Sequence, residues 1–155
     1  MMSGSNLVRE ACAGAYVVSD DPARLDLGVI HAFLSRAYWS ERIPLDIVER
    51  AIRGSLCIGA YEDGGGQVGL IRLISDYATY CYVCDVFVLE AHRGHGLSKA
   101  MLSMAIGHPR LQGLRRWQLV TLDAHGLYAQ FGFGPPAHPQ RHMERTDPMV
   151  YAHET

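Results

Sequence analysis

Lysine is nearly missing from this chain: Lys99 stands alone among 14 basic residues, and the formal net charge is -2. No basic excess remains to grip nucleic acid or an anionic membrane surface, so neither is expected as a partner. Long apolar runs are missing too. Nothing approaches the ~20 residues that cross a bilayer, and Met1-Met2-Ser3-Gly4-Ser5-Asn6 has neither the basic start nor the apolar core of a secretion signal. A cytoplasmic location is therefore expected. The eight histidines include no helical pair of the zinc-binding type, since Pro139 interrupts the spacing between His138 and His142. No metal is expected. The pair Cys81-x-x-Cys84 lies inside a strand-like run, where a separation of three sends the thiols to opposite faces, so inert buried cysteines are the expectation.

What is present suits one domain over residues 1–155, of which 1–14 read as a loose N-terminal segment. Ala15 to Val18 is a short strand, and Asp20-Asp21-Pro22 supplies a capping carboxylate and an N1 proline for a helix running to about Ala37. Pro44 to Arg53 reads as a second helix with Leu45, Val48 and Ile52 inward. Three strands follow as a meander, Ser55–Tyr61, Val68–Ile74 and Thr79–Leu89. A helix ending near Gly107, a strand from Arg116 to Thr121, a short helix from Asp123 to Phe131 and a last strand near Met149-Val150-Tyr151 complete the pattern. The order β-α-α-β-β-β-α-β-α-β predicts a mixed α/β domain.

One stretch organises the rest. Val86 to Leu89 is apolar and β-branched, whereas from Leu97 the residues Leu97, Ala100, Met101, Met104 and Ala105 fall on one helix face. Between them, Arg93-Gly94-His95-Gly96 forms a turn in which glycine lets a ligand approach the main chain. Free amides at the helix start favour an anion, a phosphate above all. Alone, such a turn reads equally well as a plain connection between strand and helix.

Two motifs together go further. Arg93-Gly94-His95-Gly96-Leu97-Ser98 resembles the [Gln/Arg]-x-x-Gly-x-[Gly/Ala] signature of the GNAT superfamily of acetyl-CoA-dependent N-acetyltransferases, departing from it at Ser98. Leu127-Tyr128-Ala129-Gln130-Phe131-Gly132-Phe133 resembles that superfamily's recurrent Leu-Tyr-x-x-x-Gly-Phe. Thr121 stands where the family commonly has asparagine. The resemblance covers the chain from about Tyr16 onward and implies a central, mostly antiparallel sheet of six to seven strands with about four flanking helices. It further implies acetyl-CoA as co-substrate, its pyrophosphate on the amides of Arg93, Gly94, His95, Gly96, Leu97 and Ser98. The backbone of Phe87 and Val88 would pair with the pantetheine arm. Lys99 and Thr121 are further cofactor candidates, and Arg115 and Arg116 are weaker ones for the ribose phosphate.

Acetyl transfer to an amine needs a polarised thioester, a neutral amine and an acid for the departing thiolate. Tyr128 is the candidate acid, and a core aromatic is the alternative. Asp85, a carboxylate in the apolar run Val83-Cys84-Asp85-Val86-Phe87, is the candidate base because burial disfavours its charged form; a carboxylate bonded to a neighbour explains it as well. His125, three residues before Tyr128 on one helix face, is a candidate relay or simply a helix cap. Tyr38, Trp39, Tyr80 and Tyr82 would line an acceptor site for a small amine with an apolar body or a cation, or else pack in the core.

Three readings follow. The first is an N-acetyltransferase acting on a primary amine of a small molecule or a protein. The second is a module that senses acyl-CoA without turnover, and the third a partner domain that keeps only the fold. A homodimer through an exposed strand edge near the C-terminus is also open.

Overall fold

The computed structural model describes residues 7–152. Their centre is a six-stranded sheet whose spatial order follows the chain: β1 (Glu10–Ala13), β2 (Tyr16–Ser19), β3 (Leu56–Glu62), β4 (Gln67–Ser75), β5 (Tyr80–Val88) and β6 (Arg116–Leu119). Neighbours from β1 to β5 pair antiparallel, and only β5 and β6 run parallel. The parallel pair requires a crossover, and α3 (Leu97–Ile106) supplies it. The remaining helices are α1 (Leu27–Leu34), α2 (Leu45–Arg53) and α4 (His125–Ala129). This is the mixed, mostly antiparallel α/β architecture that the sequence predicts.

The sheet separates two apolar layers. On one face, Met101, Leu102 and Ala105 of α3 bury against Ile58, Leu73 and Val83. On the other, Ile30 and Leu34 of α1 and Val48 of α2 cover Cys57, Leu70 and Phe87, with Phe33 stacked on Phe87 at a ring separation of 4.0 Å. Each fully buried large apolar side chain contributes about 2 kcal/mol relative to exposure. The core thus lies under α3 and under the α1–α2 pair, leaving the β6 edge of the sheet less covered.

Several local expectations are corrected. Residues 10–13, expected to be loose, form β1 on the edge of β2; residues 1–6 lie outside the described part. The helix expected from Pro22 is only a 3-10 turn over Pro22–Arg24, capped by Asp21, and α1 starts later behind Asp26. Leu45, expected inward on α2, is exposed. Strand β6 stops at Leu119, short of Thr121, and residues 150–152 form a 3-10 turn instead of a last strand.

One irregularity shapes the site. Between β4 and β5 the pairing shifts: Arg72 opposes Cys84 and Leu70 opposes Phe87, so β5 carries one residue more than β4. This is a β-bulge. Asp85 sits in it with φ of 51°, a left-handed conformation that a short polar side chain tolerates better than most.

Candidate active site

Strands β5 and β6 pair from Tyr80/Arg116 to Val83/Leu119 and then part. Strand β5 continues to Val88, so the main chain from Cys84 to Val88 has no ladder partner on the β6 side. Beyond it come a 3-10 turn over Glu90–His92, Arg93, and Gly94 and Gly96 with φ of 86° and 72°. A side chain at either glycine would be strained by that backbone, although open space surrounds both. Gly96 is the N-cap of α3, and no side chain accepts from the first-turn amides. Those amides and the helix dipole fit an anionic group of the diphosphate type.

A cleft at this point brings together Val88, Arg93, Gly94, Gly96, Leu97, Ser98 and Lys99, all candidates from the sequence, with His92 and Leu127, which the sequence did not single out. The Arg93 side chain folds back, its Nε donating to the Val88 carbonyl at 3.0 Å, and so ties the loop to the strand end. His92 Nδ1 lies 2.9 Å from the Tyr16 hydroxyl and 3.6 Å from Glu62. His95 is exposed, its ring 5.3 Å from that of Tyr16. Phe87 turns its side chain to the α1 layer, leaving only its backbone toward the gap.

A second, larger groove lies along β6, and Tyr128, His125 and Thr121 line one end of it. Tyr128 is 8% exposed, and burial, followed by the neighbouring Tyr38 phenol, pushes its own phenol above the usual range. It therefore keeps its proton at neutral and mildly alkaline pH. His125 is exposed on the first turn of α4. The Thr121 hydroxyl accepts from the Ala124 amide at 3.0 Å, so its oxygen shapes the approach to α4.

Asp85 is not the free desolvated carboxylate that its apolar neighbours suggest. One oxygen accepts from Arg72 Nε at 2.7 Å and the other from Trp39 Nε1 at 2.8 Å, with the Asp85 and Arg72 side chains 10% and 17% exposed. A carboxylate held in this way anchors the Arg72 and Trp39 side chains. Arg72 and Trp39 reach it from other elements, a pairing invisible to local sequence patterns. Tyr38 and Trp39, both exposed, form an aromatic shelf on the α1–α2 connection, in edge contact at 5.1 Å. Tyr80 and Tyr82 are half-buried on β5, and burial raises both phenols. Burial also pushes the Cys81 thiol up to about 11 and that of Cys84 to about 12, which leaves them unreactive as thiolates.

Arg116, a weak candidate for the nucleotide, is displaced from it. It pairs with Tyr80, eight residues up β5 from Val88, and eight extended residues span about 26 Å.

Known proteins match this arrangement. The family model described as the acetyltransferase (GNAT) family covers residues 27–133, from the start of α1 past Tyr128. A candidate acetyltransferase of Gibberella zeae is 36% identical over 76% of this chain and 77% of its own. Among solved structures, a candidate acetyltransferase of the GNAT family from Xanthomonas campestris pv. campestris superposes with a TM-score of 0.87 at 52% identity, covering 91% of this chain and 99% of that one. A candidate acetyltransferase from Deinococcus radiodurans R1 reaches a TM-score of 0.71 at 14% identity, over 92% and 95% of the two chains, and shows a shared fold alone. Matched across both the glycine turn and the Tyr128 helix, this chain belongs to the GNAT family of acetyltransferases.

Proposed function

We propose that the protein moves the acetyl group of acetyl-CoA to a primary amine, on a small molecule or on a protein, by direct attack in a ternary complex without metal or covalent enzyme intermediate. The observation that carries this reading is the parting of β5 and β6 beyond Val83/Leu119, which opens an unpaired strand edge leading straight into the uncapped start of α3. Amides from Arg93 to Ser98 hold the pyrophosphate, and Lys99, exposed one turn into α3, is within the same cleft for a further phosphate contact. The free edge near Phe87 and Val88 takes the pantetheine arm as an added strand, and an amide there polarises the acyl carbonyl.

Bound acetyl-CoA supplies the thioester that the amine attacks. Tyr128 holds a proton at its hydroxyl for the departing sulfur, and its buried setting keeps that proton in place. Asp85, fixed by Arg72 and Trp39, sets the Trp39 side of the acceptor mouth, while His125, exposed and in the same groove as Tyr128, takes the proton that the amine releases. Tyr38 and Trp39, with Tyr80 and Tyr82, shape the acceptor side.

Thiol release from acetyl-CoA with a panel of amines, alongside calorimetric binding, tests the reading. Tyr128→Phe should lower turnover about 100-fold while acetyl-CoA affinity stays unchanged. Unchanged turnover would remove the phenol as the acid, and binding with no thiol released by any amine would leave a sensor.

A further inference from the structure

The groove ending at Tyr128 runs along the outer edge of β6, between that strand and residues 131–142. Tyr128 apart, its ionisable lining is basic: Arg116, His125, His138, Arg141 and His142 face it, and no aspartate or glutamate does. Neither guanidinium has a carboxylate partner among the described residues. Two unpaired guanidiniums facing one groove form a region of positive potential that a cationic substrate would avoid.

The wall is also hydrogen-bonded into shape. The Tyr80 hydroxyl donates to Gln118 Oε1 at 2.7 Å, which commits the amide oxygen, and Gln118 Nε2 lies 3.4 Å from His142 Nδ1. An amide held by its oxygen presents its N–H groups, so Gln118 adds a neutral donor beside the cations. Arg116 belongs to the same cluster, since its charge partly offsets the upward push of burial on the Tyr80 phenol.

Arg116 and Gln118 pair with Tyr80 and Tyr82, about 26 Å and about 20 Å along β5 from Val88 at the glycine-turn end. The pyrophosphate grip cannot use them. The other end of the groove is lined by Thr121 and Tyr128, and back along the chain from Thr121 the backbone of Gln118 lies about 10 Å away and that of Arg116 about 17 Å. A molecule of that reach would touch both the phenol and the basic cluster. Guanidinium forks and amide N–H groups recognise carboxylate and phosphate oxygens.

We infer that the acceptor is an amine bearing a carboxylate or phosphate, with this anionic group held by Arg116, Gln118 and Arg141 and the amine directed to Tyr128. The inference rests on the transferase reading above and names its substrate class.

The test measures kcat/KM with acetyl-CoA for ω-amino acids of increasing chain length against the corresponding ω-amino amides, with aminoalkyl phosphates as a third arm. The purified full chain should favour the acids or the phosphates over the amides by about tenfold or more, and the preferred arm tells carboxylate from phosphate. Arg116→Ala and Arg141→Ala together should bring that ratio close to one, and Arg116→Lys with Arg141→Lys should restore part of it. Release of thiol at equal rates from acids, phosphates and amides would overturn this inference while leaving the transferase reading intact, as would a ratio unmoved by the alanine pair. No thiol from any amine would overturn the transferase reading itself.

Discussion

At the start of α1 the Asp26 carboxylate accepts from the Val29 amide at 3.1 Å, and the Asp26 amide is itself taken by Gln67 at 2.7 Å. At the start of α3 stands Gly96, with no side chain to offer and a left-handed φ that most residues avoid. One helix end is completed by the protein and contributes stability. The other is left with its amides exposed beside a cleft, a cost that makes sense only where something else completes it. Asp85 falls on the completed side of this contrast, since both its oxygens have donors.

The largest expected effect tests that placement. Arg72→Met would strand a carboxylate that is 10% exposed, and should cost about 3 kcal/mol of folding stability, lowering Tm by about 10 °C. A shift within a degree would mean that Asp85 is solvated and open to act as a base. The contrast between the helices can then be reversed directly. Gly96→Asp puts a carboxylate where α1 has one and should weaken acetyl-CoA binding about 100-fold by calorimetry, because it places negative charge where the diphosphate belongs. Retained affinity would break the comparison. Uncapping α1 is the converse experiment: Asp26→Ala should cost about 1 kcal/mol, a fall in Tm of about 3 °C, with acetyl-CoA affinity unmoved.

The smallest effect concerns pH. Because burial raises the Tyr128 phenol, its acid form persists, and kcat should hold through the ordinary phenol value of about 10 before falling. The same sign applies to folding: the stabilisation is whole below the unfolded phenol value and is lost as pH climbs from there through the raised one. A kcat that falls well below pH ~9 would place the titrating acid elsewhere.

What could be read from the sequence divides along similar lines. The turn at Arg93–Gly96 and the helix behind it were legible because the switch from strand run to helical period is local, as was the short helix carrying Tyr128. The meander of β3, β4 and β5 was legible from its apolar runs and its glycine tip. Strand β1 was not, because four residues with mostly exposed side chains carry no periodic signal, and its place depends on pairing with β2. The C-terminal strand is absent among the described residues for the opposite reason: Met149, Val150 and Tyr151 have strand-like chemistry, but residues 150–152 close into a 3-10 turn and Tyr151 packs toward the α1–α2 layer instead of joining the sheet. Asp85 stands out in the sequence by its chemistry, yet its partners lie 13 and 46 residues away. The basic wall of the second groove likewise arises only when residues 138–142 return beside β6.

The surplus residue in β5 has a consequence for which changes the strand can absorb. Upstream of Asp85 the odd-numbered Cys81 and Val83 join the α3 layer, while downstream the even-numbered Val86 and Val88 do. Parity is reversed at one point, which turns Phe87 to the opposite face, where it stacks on Phe33 of α1. Point substitutions at 85 or 86 would preserve that reversal, but loss of one residue would swap the sidedness of everything from there to Leu89. Relatives should therefore vary in residue identity at this spot while keeping its length.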